Sequence, residues 1–299
     1  MTADTTSHSL RGAMLCIVAL FLFACMDTTT KYLAASYNVP LIVALRYIGN
    51  LLLMILLLGP TRPRELLRTD RTALVLVRAA CLAVTSLLVG LALQLMPVAE
   101  TTAINFIAPL VVVLLARPVL GERIGRWGWS AALLGFAGVM LIVRPGSGLN
   151  PTGVALALGA VGAGAAYQLL SRVLVDTERT IAMLFYTALL GSVLFGIALP
   201  WTMHGHAPSA FELLLFLSLG IYGGLGHFLF TKAYRHADAS ILAPMIYFQL
   251  VWAGLLGWLI FRHAPDLPSL AGMAVIAVSG LMIAFKPKPD QRSLRSRYR

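Results

Sequence analysis

Along the chain, apolar runs of about 18 residues or more alternate with short polar or Pro/Gly-rich breaks. The runs fall near residues 12–35, 40–58, 73–95, 97–117, 127–143, 152–174, 180–200, 211–234, 238–261 and 268–286. Each is long enough as a helix to cross a hydrocarbon layer roughly 30 Å thick. The pattern therefore predicts an all-α integral membrane protein with ten transmembrane helices. Most connecting segments are very short, the exceptions lying around Pro60 to Arg71 and Trp201 to Ser209, so no separate soluble domain is expected. The first run follows eleven mostly polar residues, read as a cytoplasmic N-terminal segment at 1–11. It is longer than the 7–15-residue core of a signal peptide, and bulky Phe23 fits a lipoprotein box at Leu22-Phe23-Ala24-Cys25 poorly, so a retained helix is expected.

Composition agrees: 59% hydrophobic and 12% charged residues, with a mean hydropathy of +0.84, exclude a soluble globular class. The net charge of +11 does not signal nucleic acid, because the cations stand singly or in small groups between apolar runs rather than on an aromatic-interleaved face. Eighteen of the 23 Lys and Arg fall on the side of the two termini, and only Arg144 and Arg262 on the other; Lys31, Arg46 and Arg78 lie within spans. The positive-inside rule then places both termini in the cytoplasm. Cys16, Cys25 and Cys81 sit in apolar runs without paired spacing, which fits small core residues rather than disulfides or a zinc site.

The chain also matches itself. Gly12 aligns with Gly153, Asp27 with Gln168 and Lys31 with Arg172 at an offset of 141, Arg46 with Tyr186 at 140, and Gly138 with Gly280 at 142. Two repeats are read, at 12–145 and 152–286, followed by a basic cytoplasmic tail at 287–299. Five spans per repeat give the second half the opposite orientation. Inverted repeats of this kind suit secondary transporters, where two halves exchange conformations around a midplane site.

Pro97-Val-Ala-Glu-Thr-Thr-Ala-Ile-Asn-Phe-Ile-Ala-Pro-Leu110, Leu120-Gly-Glu-Arg123 and Gly135-Phe-Ala-Gly-Val-Met-Leu-Ile142 resemble the fourth and fifth spans of EamA-type carriers of the drug/metabolite transporter superfamily. Phe23-Ala-Cys-Met-Asp-Thr-Thr-Thr-Lys-Tyr32, followed by Arg46, is similar to the opening of the same repeat. The resemblance implies a carrier of amino acids, S-adenosylmethionine, riboflavin or related metabolites and drugs. Ile181-Ala-Met-Leu-Phe-Tyr186 and Tyr234-Arg-His-Ala-Asp-Ala-Ser-Ile-Leu-Ala-Pro244 are most similar to the branch with S-adenosylmethionine and riboflavin uptake carriers, without selecting a solute. The sequence departs from the pattern in the second repeat, where His263 faces the position of Glu122. Glu122 itself is read as capping a cytoplasmic helix end.

Ionisable groups inside spans cost roughly 2.5–3.5 kcal/mol each on insertion scales, so each needs a partner, water or a function. Asp27 and Lys31, four apart on the first helix, can pair; with Arg46 and Glu100 they form a balanced set of two anions and two cations in the extracytoplasmic half. Static salt bridges and a gate are both open readings of this set. Asp27 and Glu100 are the candidate proton-responsive groups. Asn105 in the fourth span, and Tyr167, Gln168, Tyr186, His227, Tyr247, Gln249 and Trp252 in the second half, add hydrogen-bonding and aromatic surface suited to a small polar or ring-bearing solute. Glycines in the sixth and eighth spans allow close packing or sliding, and Pro109 and Pro244 predict kinks.

The expected function is a secondary active transporter of a small metabolite across the cytoplasmic (inner) membrane by alternating access. Expected partners are that solute, membrane lipid and coupled protons, with no nucleic acid, in a monomer or homodimer. No Walker A sequence is present, and no cofactor or metal is implied; His204-x-His206 is too sparse for a metal site. The alternatives are an intramembrane enzyme, which would need a constellation such as His-Glu-x-x-His or Gly-x-Ser-x-Gly, and a scaffold or sensor, for which no receiving domain exists.

Overall fold

The computed structural model describes residues 2–108, 110–112, 115, 126–144, 148–174, 177–202, 207–233 and 247–284. Within them lie α1 (Thr2–Leu33), α2 (Val39–Leu58), α3 (Pro63–Leu67), α4 (Thr72–Leu95), α5 (Val98–Asn105), α6 (Arg126–Val143), α7 (Pro151–Leu174), α8 (Thr180–Thr202), α9 (Ala210–Ala233), α10 (Phe248–Phe261) and α11 (Leu267–Ala284). Six of these helices are long and apolar enough to cross a membrane, and the shorter apolar stretches Val98–Val112, Trp129–Val143, Phe248–Phe261 and Leu267–Ser279 occupy the other four expected spans. Hydropathy locates these helices well because lipid leaves the backbone no partner but itself. Two features depart from expectation. Helix α1 begins at Thr2, so the polar N-terminal segment continues into the first helix, and α3 forms in the Pro60–Arg71 linker, where no apolar run marks it.

The outward faces are as apolar as the core. Leu57, Trp201, Leu217 and Leu267 are each about two-thirds or more exposed, an arrangement that water would penalise and acyl chains do not. Contacts between helices rely on small residues. A Cβ on Gly220 would stand 2.9 Å from the backbone of Gly49, and one on Gly272 would stand 2.6 Å from the carbonyl oxygen of Gly138.

The duplication governs which helices touch. Helix α4 packs along α7 and α1 along α9, α2 along α8, and α6 along α11, all of them pairings between halves. Gly138 abuts Gly272, while the Ser279 hydroxyl donates to the Ala131 carbonyl at 2.5 Å. The repeat offset of 141 converts one contact into the other, and the descending order of partners makes α6 and α11 antiparallel. Phe23 against Gly226 and Thr85 against Gly164 are related in the same way. Equivalent helices thus run in opposite directions about a pseudo-twofold axis, and the halves interleave.

The fourth span is broken. Helix α5 stops at Asn105, Ile107 and Leu110 make short three-residue backbone bonds to Ile104 and Ile107, and the helix then resumes. The corresponding element of the second half, α10, starts at Phe248 behind a turn at Tyr247. Pro109 and Pro244, which predict kinks in these two spans, lie outside the described residues.

Candidate functional site

Polar side chains enter the bundle at three levels. At the α3 end, Arg78 is 5% exposed. Its Nε donates to Ser171 Oγ at 2.6 Å, Nη1 to Thr187 Oγ1 at 3.2 Å and Met183 O at 3.4 Å, and Nη2 to the Tyr167 hydroxyl at 2.7 Å. Ser171 and Thr187 donate their own protons to carbonyls four residues back, which leaves their lone pairs for the guanidinium. The same guanidinium lies 4.4 Å from the centre of the Tyr167 ring. No carboxylate faces it among the described residues. Arg78 thus ties α4 to α7 and α8 through neutral oxygens, and Tyr167 belongs to this clamp. Below it, buried Glu178 accepts from the backbone N–H groups of Asp70 (3.0 Å) and Arg71 (2.5 Å), which cap α4.

At the middle level, Gln249 Nε2 donates to Asp27 Oδ2 over 3.4 Å, joining α10 to α1. Arg46 lies within electrostatic reach of Asp27, contacts Met26 Sδ at 3.8 Å and sits 5.2 Å from the Tyr47 ring centre. His227 packs tilted against Phe23 with ring centres 4.9 Å apart and lies within electrostatic reach of Arg46 and Arg78. Phe106, at the break after α5, and Tyr247, in the turn before α10, lie one repeat offset apart and meet with ring centres 5.4 Å apart. Trp252 packs edge-on to Phe21 at 5.1 Å, and its indole N–H is buried without a partner among the described residues. Gln168 is half-buried.

At the end opposite α3, Lys31 Nζ donates to Leu93 O at 2.8 Å and Met96 O at 2.7 Å, placing a cation on the carbonyl end of α4. Gln94 Nε2 answers with a bond to Ala34 O. Glu100 is 3% exposed; its Oε1 meets His263 Nε2 at 3.2 Å, and its Oε2 has no partner among the described residues. Beyond them, Arg144 Nη2 bonds Asp266 Oδ2 at 2.5 Å, joining the loops after α6 and α10. Asp266 also accepts from the Ser269 backbone at 2.9 Å. Its bonds to Ser269 first, and Arg144 second, draw its carboxyl down from 3.8 to about 2.

Several expectations change. Asp27 and Lys31 do not pair, because the long Lys31 side chain reaches the exposed carbonyls of α4 instead. The balance of two anions and two cations omitted Arg78, whose charge is met by hydroxyls and a carbonyl. Tyr186 is not at the middle level: its hydroxyl donates to Leu67 O of α3 at 3.1 Å. The Asn105 amide is spent on Thr101 O of its own helix. Spacing along the chain does not mark His263, Arg78 and Glu178 as site residues, since their partners lie 89 to 163 positions away. For Arg78 a signal existed, an in-span cation with no acid one helical turn away. Glu122, His204, His206 and the basic tail lie outside the described residues. Among the described residues no group of three or more His, Cys, Asp or Glu could hold a metal ion.

Comparison with known proteins adds the decisive observation: the profile of the EamA-like transporter family matches twice, over residues 10–144 and 151–285. The chain belongs to the EamA-like transporter family. The two EamA matches show the duplication read from the sequence, and membership of a transporter family bears out the reading that the protein is not an enzyme. It is an integral membrane protein with several spans. The S-adenosylmethionine uptake transporter of Rickettsia prowazekii is 28% identical over 97% of this chain and 98% of its own length, and that of Rickettsia bellii is 31% identical over 75% and 77%. The pseudopaline exporter CntI of Pseudomonas aeruginosa is 28% identical over 91% and 95%. A crystallised protein with 21% identity superposes with a TM-score of 0.65 over 93% of this chain and 96% of its own, which shows the shared fold. The EamA relatives imply a transported small molecule.

Proposed function

We propose that this EamA protein is a secondary active carrier that moves a small metabolite across the cytoplasmic membrane by alternating access. The observation that carries this reading is the middle level. There Asp27, Arg46, His227 and Gln249 gather side chains from both repeats, next to Phe106 at the break after α5 and Tyr247 in the turn before α10. An interrupted helix at the interface of the repeats frees backbone groups and small movements for a solute. The two repeats, 12–145 and 152–286, supply the halves that exchange. Asp27, Arg46, His227, Tyr247, Gln249 and Trp252 are the binding candidates, with Gln168 kept as the repeat counterpart of Asp27; Lys31 and Glu100 serve the gate. Tyr167, Tyr186 and Asn105 support the helices that carry these groups. Both termini face the cytoplasm in this reading, on the strength of the cation distribution, and the protein acts as a monomer or homodimer.

Proton coupling belongs to the same proposal. Glu100 is buried with one oxygen free of any described partner, while the His263 side chain is 45% exposed. The pair links a buried carboxyl to water at the end opposite α3. Metabolites that carry both signs of charge, amino-acid zwitterions and S-adenosylmethionine with its carboxylate, ammonium and sulfonium among them, suit the mixed charges of the middle level.

Uptake by purified protein in proteoliposomes tests both parts, with labelled S-adenosylmethionine, amino acids and riboflavin offered with and without a proton gradient. Saturable uptake of one solute, competed by its unlabelled form and lost in Asp27→Asn, is expected. Glu100→Gln should retain binding but lose the response to the gradient. Asp27→Asn protein with wild-type uptake and pH dependence would remove Asp27 from the site.

A further inference from the structure

Helix α3 lies between the end of α2 and the start of α4, within a few residues of two membrane spans. Leu66 is buried under it, Leu67 is 60% exposed, and the bond from the Tyr186 hydroxyl to Leu67 O fixes it against α8. In this position Arg64 and Arg68 from the first repeat and Arg179 from the second line one cavity of about 440 Å³, together with Pro63 and Leu67. Two acids of the surrounding turns are committed elsewhere. Glu65 pairs with Arg62 at 3.5 Å, and Glu178 accepts the backbone N–H groups of Asp70 and Arg71. Among the described residues, no carboxylate pairs with any of the three guanidiniums that line the cavity.

Three like charges gathered around an apolar floor repel one another unless an anion joins them. Guanidinium forks suit phosphate oxygens, and a basic pocket at the membrane interface suits the headgroup of an anionic lipid. We propose that this cavity binds the phosphate of an anionic phospholipid, with Leu67 and Pro63 against the glycerol and upper acyl chain. The lipid joins α3 to the start of α8, and so the first repeat to the second. The shared chemistry with a soluble phosphate is the phosphate group; the apolar floor favours the lipid.

The test uses the full-length protein in detergent, titrated with phosphatidylglycerol, phosphatidylcholine or inorganic phosphate, with bound lipid counted by native mass spectrometry. The wild type should hold one phosphatidylglycerol more tightly than phosphatidylcholine, and Arg64→Gln/Arg68→Gln/Arg179→Gln should weaken it at least about tenfold. Arg292→Gln/Arg295→Gln/Arg297→Gln removes the same charge from the tail and should leave that affinity unchanged. Where the triple cavity variant fails to elute as a single folded species, Arg179→Gln alone takes its place, with a smaller loss in the same direction. Equal binding by wild type and cavity variants, an equal loss in the tail variant, or displacement of the lipid by inorganic phosphate at equal concentration would each overturn the assignment.

Discussion

Arg78 brings a guanidinium into the bundle and satisfies it with a serine, a threonine, a tyrosine and a carbonyl drawn from α7 and α8. Intramembrane hydrogen bonds are individually modest, averaging about 0.6 kcal/mol, so Arg78→Ala should cost roughly 2 kcal/mol or more from four of them together. Arg78→Lys should recover only part of this, because a point charge cannot reproduce a fork across three helices. Thermal midpoints in detergent measure both. Asp266 provides a pH-dependent counterpart in the loops. Its carboxyl is lower in the folded protein, at about 2 against 3.8, so the Arg144–Asp266 contact stabilises above about pH 4 and is lost as pH falls through about 2. The stability difference between wild type and Asp266→Asn should therefore be present at neutral pH and vanish in strong acid.

At the scale of elements, glycines divide by what stands opposite them. Gly220 has the backbone of Gly49 in contact, whereas nothing lies within 4 Å of a Cβ placed on Gly162. Gly220→Ala should destabilise by roughly 1–3 kcal/mol, since backbone cannot move aside as a side chain can. Gly162→Ala should be neutral or stabilise by up to about 1 kcal/mol through helix propensity. Both glycines sit in glycine-dense spans, and sequence alone gives them equal standing. The break after Asn105 is likewise an element property. Proline marks its neighbourhood, but the meeting of Phe106 with Tyr247 depends on α5 and α10 lying across the pseudo-twofold axis.

For the whole molecule, the interleaving of halves is the consequential feature. Its most extensive helix contacts, α4 with α7, α1 with α9, α6 with α11 and α2 with α8, all cross between repeats. A five-helix half expressed alone, residues 1–148 or 149–299, should therefore aggregate or self-associate. The two fragments expressed together should assemble and co-purify. A monodisperse, folded single half in detergent would show instead that each repeat is an independent packing unit, and size-exclusion chromatography with circular dichroism decides between them.

Hydropathy by itself determined that the chain crosses a membrane, close to where each span lies, because an isolated backbone in lipid has one way to satisfy its hydrogen bonds. The repeat, and the orientation it imposes on the second half, were equally legible from Gly12 and Gly153, Asp27 and Gln168, and Gly138 and Gly280, as were Asp27, Arg46 and Glu100 as costly polar positions. Partners were a different matter. Spacing offered Lys31 to Asp27, but packing gave it to the carbonyls of α4, gave Glu100 to His263 and gave Tyr186 to α3. A side chain's own cost in lipid is fixed by its chemistry. What offsets that cost comes from helices distant in sequence, and only the tertiary structure brings them within reach.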